Sequence, residues 1–262
     1  VVGGGGAVIP VQYSRMYGSS VDVLELDSSV RDACQAFFEV PKNDPRITFH
    51  IGDARRNLKR LEGKFDVVVL DAYTSGGQIP FHLLTWEFLQ EIRERIAEGG
   101  VLATNIITAV RNTDPHRERP ADLLLAEVKT LQAGKDREGR LQSGELPREK
   151  RLFQQVYLFP RVYPAQGTLR NYMDHSRNVI CIATQETERK TLEEVIAKAK
   201  LLSEGDKPKV DIKDLVWHAE RLYEDGPAKA ELEEVPILSD DYAPVDTMYR
   251  AVKRSESSQA VY

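Results

Sequence analysis

The run FDVVVLD (Phe65–Asp71) is almost continuously apolar until it stops on one carboxylate, and no other stretch restricts the fold as much. A strand this apolar belongs inside a parallel sheet that is covered on both faces. Strand-like and helix-like runs alternate around it. Val1–Val2 reads as the tail of a first strand, Gly3 to Gly6 as a turn, and Ala7 to Tyr17 as a helix with Pro10 in its first turn. VDVLELD (Val21–Asp27) alternates as a strand. Ser28 is expected to cap a helix in which Val30, Ala33, Cys34 and Phe37 recur at helical spacing. Asp44-Pro45 breaks the chain before a third strand, ITFHI (Ile47–Ile51), and GDARRNLKRL turns into a short helix. Beyond FDVVVLD, Leu84, Phe88, Ile92 and Ile96 line one face of a helix expected to stop at Gly99-Gly100, and VLATNII follows as a fifth strand. This alternation implies right-handed βαβ units in a mainly parallel, seven-stranded sheet with helices on both faces, an α/β Rossmann-like architecture.

Further on, 117–131 reads as helix and 133–150 as a polar loop. FQQVYLF and NVICIAT read as the last two strands, an antiparallel pair at one edge. Amphipathic helices near 189–202 and 211–224 and a proline-bearing tail close the chain. The organisation expected is a nucleoside-binding domain over 1–186, with helices and a tail over 187–262 packed on it. The net charge of −5 and the absence of a lysine/arginine block argue against nucleic acid or an anionic membrane as partner. Two cysteines, Cys34 and Cys181, sit in apolar segments and read as buried thiols of a reducing, cytoplasmic compartment. No apolar run approaches the roughly 20 residues of a membrane span, and no signal peptide is visible. Because the sequence opens directly on VVGGGG, the expectation is that the start of its first strand, and what precedes it, is missing.

In an open α/β sheet, ligands bind beyond the carboxyl ends of the strands. Those ends carry, in order, the glycines Gly3, Gly4, Gly5 and Gly6, then Glu25 and Asp27, then Asp53, then Asp71. A G-x-G-x-x-G fingerprint is absent, since the sixth position is Val8 or Ile9, and no Gly-Lys-Ser/Thr phosphate loop exists. Glu25 lies at the distance where a carboxylate accepts both ribose hydroxyls. Asp53 can accept from an adenine amino group, cap the helix Ala54–Leu61, or do both. Glycines and acids with nothing basic waiting for a phosphate suggest adenosine without phosphates, and hence a sulfonium nucleoside. The histidines show no metal-ligand spacing, so no metal is expected.

VVGGGG, VLELD, HIGDAR, FDVVVLDAY and the GG-V-L-x-x-N strand resemble the spermidine synthase (polyamine aminopropyltransferase) family, within the class I methyltransferase-like fold. DAYTSGGQIPFHLLT and LSDDYAPVD resemble its bacterial spermidine-synthase-like branch. The resemblance implies transfer of an aminopropyl group from decarboxylated S-adenosylmethionine to an amine, by a homodimer. The glycine turn would hold the methionine-derived part and ribose, Glu25 the ribose, Asp53 and Ala54 the adenine. Asp71 would accept the proton of the amine. Tyr73, Thr74, His82 and Tyr163 are candidates for the acceptor side, with Asp240 and Asp241 folding back to supply acids for it. Asn105 is a polar wall residue, and the Gly76-Gly77 loop a gate.

Two positions depart from the family pattern. Gly6 stands where GGGD would place an acid, and Thr74 where a second Asp would help bind the diamine. The first removes a means of preferring the decarboxylated donor over S-adenosylmethionine, so a methyltransferase on the same scaffold is an alternative. A non-catalytic nucleoside-binding module is another.

Overall fold

The computed structural model describes residues 1–38, 40–42, 44–74, 79–110, 121–144, 146–161, 177–203, 214–245 and 248. The Gly76-Gly77 gate and Tyr163 lie outside these described residues.

Strands β1 (Val21–Glu25) and β2 (Ile47–Ile51) pair in parallel, as do β3 (Phe65–Leu70) and β4 (Ile96–Thr108). Val2 joins the two halves through single parallel bridges to Leu24 and Leu70. On the other side β8 (Arg177–Thr184) runs antiparallel to β4, and β7 (Gln155–Pro160) antiparallel to β8. Among the described residues the order is therefore β2-β1-Val2-β3-β4-β8-β7, six strands and a one-residue rung, with β8 alone reversed. Two two-residue strands, β5 (Gly134–Lys135) and β6 (Leu141–Gln142), form a separate hairpin inside the stretch expected to be loop.

Helices α1 (Val8–Tyr17), α2 (Ser28–Phe37), α3 (Ala54–Leu58) and α4 (Trp86–Arg95) follow Val2, β1, β2 and β3 in turn. The cap of α2 is Asp27, whose carboxylate accepts from the Ser29 N–H at 2.8 Å. The expected Ser28 is one residue inside. Ile96 is likewise not on a helix. It is extended, pairs with Phe65 and opens the 13-residue β4. The Gly99-Gly100 pair serves strand contact rather than helix termination, for a Cβ on Gly100 would lie 2.8 Å from the Asp66 carbonyl oxygen.

After β4 come α5 (Asp122–Leu131), α6 (Leu192–Ser203), α7 (Leu215–Ala219) and α8 (Lys229–Glu233). The main core gathers Leu70, Phe88, Leu89, Ile92, Leu102 and Leu124 with Leu238 and Val245 of the tail. A smaller cluster, Ala7, Cys34 and Val40, ties α1 to α2. Among the described residues no helix is long and apolar enough to cross a membrane.

Candidate active site at the carboxyl edge of the sheet

The amino-terminal residues are laced between β1 and β3. Val2 N–H donates to Val69 O (2.7 Å), Gly3 N–H to Leu24 O (2.9 Å) and Asp71 N–H to Val2 O (2.9 Å). This lacing brings the glycine turn, the end of β1 and the end of β3 to one edge. Gly3 has φ +94°, and a Cβ there would lie 2.5 Å from the Asp71 carbonyl oxygen, so only glycine lets the turn lie so close.

Glu25 is buried, and both of its oxygens are engaged. Oε2 accepts the Gly4 N–H at 2.7 Å and Oε1 accepts the Asp27 N–H at 3.0 Å. A carboxylate offers about four acceptor sites, so each oxygen keeps capacity for a hydroxyl. The Glu25 carbonyl accepts from Gly52 N–H (2.8 Å), which sets Asp53 beside it. Asp53 caps α3 through Oδ1, accepting from Arg56 N–H at 2.8 Å. Its Oδ2 faces His82 Nε2 at 3.7 Å, so His82 stands with the nucleoside candidates rather than beside Asp71. Ala54 packs on the core. A Cβ added at Gly6 would sit 3.4 Å from the Phe38 ring, so the fourth glycine borders an apolar group. Gly5 reaches the second cluster through its carbonyl, which accepts from the Cys34 thiol.

Asp71 is half-buried at the end of β3. Its Oδ1 accepts from Asn105 Nδ2 at 2.9 Å, and Asn105 Oδ1 accepts from Asn178 Nδ2 at 3.1 Å. Tyr73 donates its hydroxyl to the Asn105 carbonyl, and Thr74 is exposed. Among the described residues no hydrogen bond reaches Asp71 Oδ2. This oxygen is an acceptor held at the edge by a sheet and an amide.

The tail does fold back, but Asp240 offers no spare charge to an amine. Its Oδ1 accepts from Arg55 Nη1 (2.9 Å) and from the Thr85 hydroxyl (2.7 Å), and its own N–H donates to Glu87. Arg55 is also paired with Glu91 at 2.9 Å. The Arg55 bond holds the Asp240 carboxyl below the usual aspartate range. Asp241 is exposed on the Ser239–Tyr242 turn. Asp240 thus latches the tail to α3 and α4, and Asp241 faces solvent.

Sequence reasoning missed Asn178 and Arg55. Asn178 also lines a groove of about 1200 Å³ between β7–β8 and α6–α7, floored by Phe159, Ile180 and Trp217. Among the described residues no group of three or more His, Cys, Asp or Glu is placed to hold a metal ion.

Residues 1–110 match a family model described as the spermine/spermidine synthase domain. A polyamine aminopropyltransferase from Vibrio vulnificus is 35% identical over 119 residues, which are 44% of this chain and 39% of that protein. One from Korarchaeum cryptofilum is 33% identical over 109 residues, 40% and 34% of the two chains. The chain thus spans well under half the length of these curated relatives. Among solved structures, a probable spermidine synthase from Corynebacterium glutamicum superposes with TM-score 0.54 at 21% identity, covering 79% of this chain and 63% of that one. A spermidine synthase in complex with the transition-state analogue AdoDATO gives 0.51 at 16% identity, over 89% and 67%. At these identities the structural likeness establishes the fold, which is the Rossmann-like fold of class I methyltransferases and spermidine synthases.

Proposed function

We propose that this chain, whose residues 1–110 match the spermine/spermidine synthase domain, transfers an aminopropyl group from decarboxylated S-adenosylmethionine to an amine acceptor, with Asp71 as the proton acceptor. The observation that carries this is the state of Asp71: one oxygen is fixed by Asn105 and the other is without a hydrogen bond among the described residues, at the edge shared with Glu25 and the glycine turn.

The chemistry follows from charge. An alkyl amine with pKa near 10 is almost wholly protonated at pH 7 and carries no lone pair for attack. Asp71 Oδ2 would orient the ammonium by a charge-assisted hydrogen bond and take one proton as the nitrogen attacks the carbon beside sulfur. The carbon–sulfur bond breaks with its electron pair going to sulfur. The cationic sulfonium thereby leaves as neutral methylthioadenosine, and the proton passes on to solvent. Glu25 would accept from the two ribose hydroxyls with its remaining lone pairs, and Asp53 Oδ2 from the adenine amino group. Tyr73 and Thr74 would line the acceptor side. In this reading the enzyme uses no metal, has no nucleic-acid partner, and works in the cytoplasm as a homodimer.

Purified protein given decarboxylated S-adenosylmethionine and putrescine is expected to release methylthioadenosine. Asp71→Asn should lower turnover by about 10²–10⁴-fold while calorimetric binding of methylthioadenosine stays within twofold. Absence of release with a panel of amines, despite intact nucleoside binding, would overturn the aminopropyl assignment.

Gly6 favours a second reading, a methyltransferase. Beside the Phe38 ring this position holds no acid to repel the carboxylate of S-adenosylmethionine. Tight binding of S-adenosylhomocysteine with none of methylthioadenosine would select it.

A further inference from the structure

We propose that Asn105 is the positioning residue for Asp71, and that Asn178 supports the Asn105 amide in the orientation that presents Nδ2 to the Asp71 carboxylate. The inference rests on the assignment of Asp71 as proton acceptor and adds the device that holds it ready.

An asparagine amide has two ends of nearly equal shape and opposite polarity. Left to itself next to a carboxylate and a polar neighbour, it turns to suit them. Here the carboxylate, which can only accept, demands the nitrogen end, and Asn178 can supply a donor for the oxygen end. Asn105 Nδ2 donates to Asp71 Oδ1 at 2.9 Å, and Asn105 Oδ1 receives the Asn178 Nδ2 at 3.1 Å. Turned over, the Asn105 amide would set its oxygen against the carboxylate, a repulsive contact in place of a hydrogen bond. The backbone fixes the pair as well. In the β4–β8 register Ile107 lies opposite Asn178 and Asn105 opposite Ile180, so the two asparagines are diagonal neighbours on one sheet face. The Tyr73 hydroxyl bonds the Asn105 carbonyl from the other side. Asp71 is therefore held with Oδ1 occupied and Oδ2 left for substrate.

The test is Asn178→Asp. The new carboxylate can only accept, so it competes with Asp71 for the Asn105 N–H. Turnover is expected to fall at least about tenfold, and the acid limb of the pH–rate profile to move up by about one pH unit, with methylthioadenosine affinity unchanged. Asn178→Leu removes the donor without adding charge and should give the same changes to a smaller extent. It also serves if the aspartate variant fails to fold. The Asp71 carboxyl ¹³C signal gives a readout that needs no turnover: it is expected to move in the uncharged Asn178→Leu variant, which changes a residue with no bond to Asp71 among the described residues. If wild-type protein turns over no amine but this signal moves, the functional assignment fails and the relay stands. If turnover is present and neither the profile nor the signal moves, the relay is wrong. An equal loss of nucleoside affinity would make Asn178 a structural residue and also overturn it.

Discussion

The two sides of the candidate site are built by different means. The nucleoside side is made of backbone: a glycine turn laced between β1 and β3, with Glu25 fastened to it by the N–H groups of Gly4 and Asp27. The acceptor side is made of side chains handed across the sheet, from Asp71 on β3 to Asn105 on β4 to Asn178 on β8. The first depends on conformations that only glycine adopts without strain. The second depends on strand register. Damage to the two sides should therefore look different, first as lost folding and then as lost turnover.

The hardest test of this contrast lies within the glycine turn. Gly3→Ala places a methyl group 2.5 Å from a backbone oxygen at φ +94° and is expected to cost roughly 3–5 kcal/mol of stability. Gly5→Ala, at φ +48° with nothing within 4 Å, should cost only about 1 kcal/mol. Urea unfolding of both variants reads the difference. Equal costs would mean that the turn does not depend on its close approach to Asp71.

A second effect belongs to the β4–β8 half of the sheet. Glu127 on α5 is fully buried, neither carboxylate oxygen has a hydrogen-bond partner among the described residues, and burial pushes its pKa up to about 8. It lies close enough to Cys181 of β8 to help hold that thiol up as well, after burial. The folded state keeps a proton that the unfolded chain releases near pH 4.5. Stability is therefore full below that value and falls as pH rises toward 8, by at most about 1.4 kcal/mol per pH unit. Glu127→Gln should flatten the decline, worth roughly 2–4 kcal/mol between pH 5 and pH 8 by the same linkage. Hydrogen exchange should show β4 and β8 loosening with pH before β1 and β2 do. A wild-type protein as stable at pH 8 as at pH 5 would remove Glu127 from this account.

The smallest effect belongs to the nucleoside side. The Arg55–Asp240 pair fastens the tail to α3, but the Asp240 side chain is 42% exposed. Solvent screening holds its contribution to about 1 kcal/mol or less. Because the folded pKa is depressed, this stability is present above the unfolded value of 3.8 and lost as pH falls through the lower folded value. Asp240→Asn should lower the melting temperature by a few degrees at pH 7 and low salt, a difference that vanishes as pH falls through the depressed folded value. A difference that persists in 1 M salt would point to packing rather than charge.

What the sequence made legible follows the same division. The glycines, Glu25, Asp53 and Asp71 each end a strand, and strand ends can be found from local pattern alone. Where two local signals compete, local pattern misplaces a boundary: Asp27 and Ser28 are both good caps, and Ile96 suits a helix face until its pairing with Phe65 is known. Asn178 and Arg55 have no local signal. Asn178 meets a residue 73 positions away and Arg55 one 185 positions away, and only the β4–β8 register and the folded tail reveal either contact. The Asp240 contact is hidden for the same reason, since nothing near it in sequence announces the Arg55 guanidinium it pairs with.

Strand β8 lies between β4 and β7, although it is made last of the three. During synthesis β7 leaves the ribosome with no neighbour to join, and the long outer edge of β4 stays open until the residues after Arg177 have emerged. The lacing between Val2, β1 and β3 needs nothing beyond residue 71, so in a nascent chain its hydrogen bonds are expected to form before those of the acceptor side. Until then the bare β4 edge is the place where a newborn chain would stick to its neighbours, and that vulnerable interval ends only when the reversed strand slides into its slot. Chains stalled with residue 160 and with residue 200 clear of the ribosome would show it, the shorter being the one that chaperones hold.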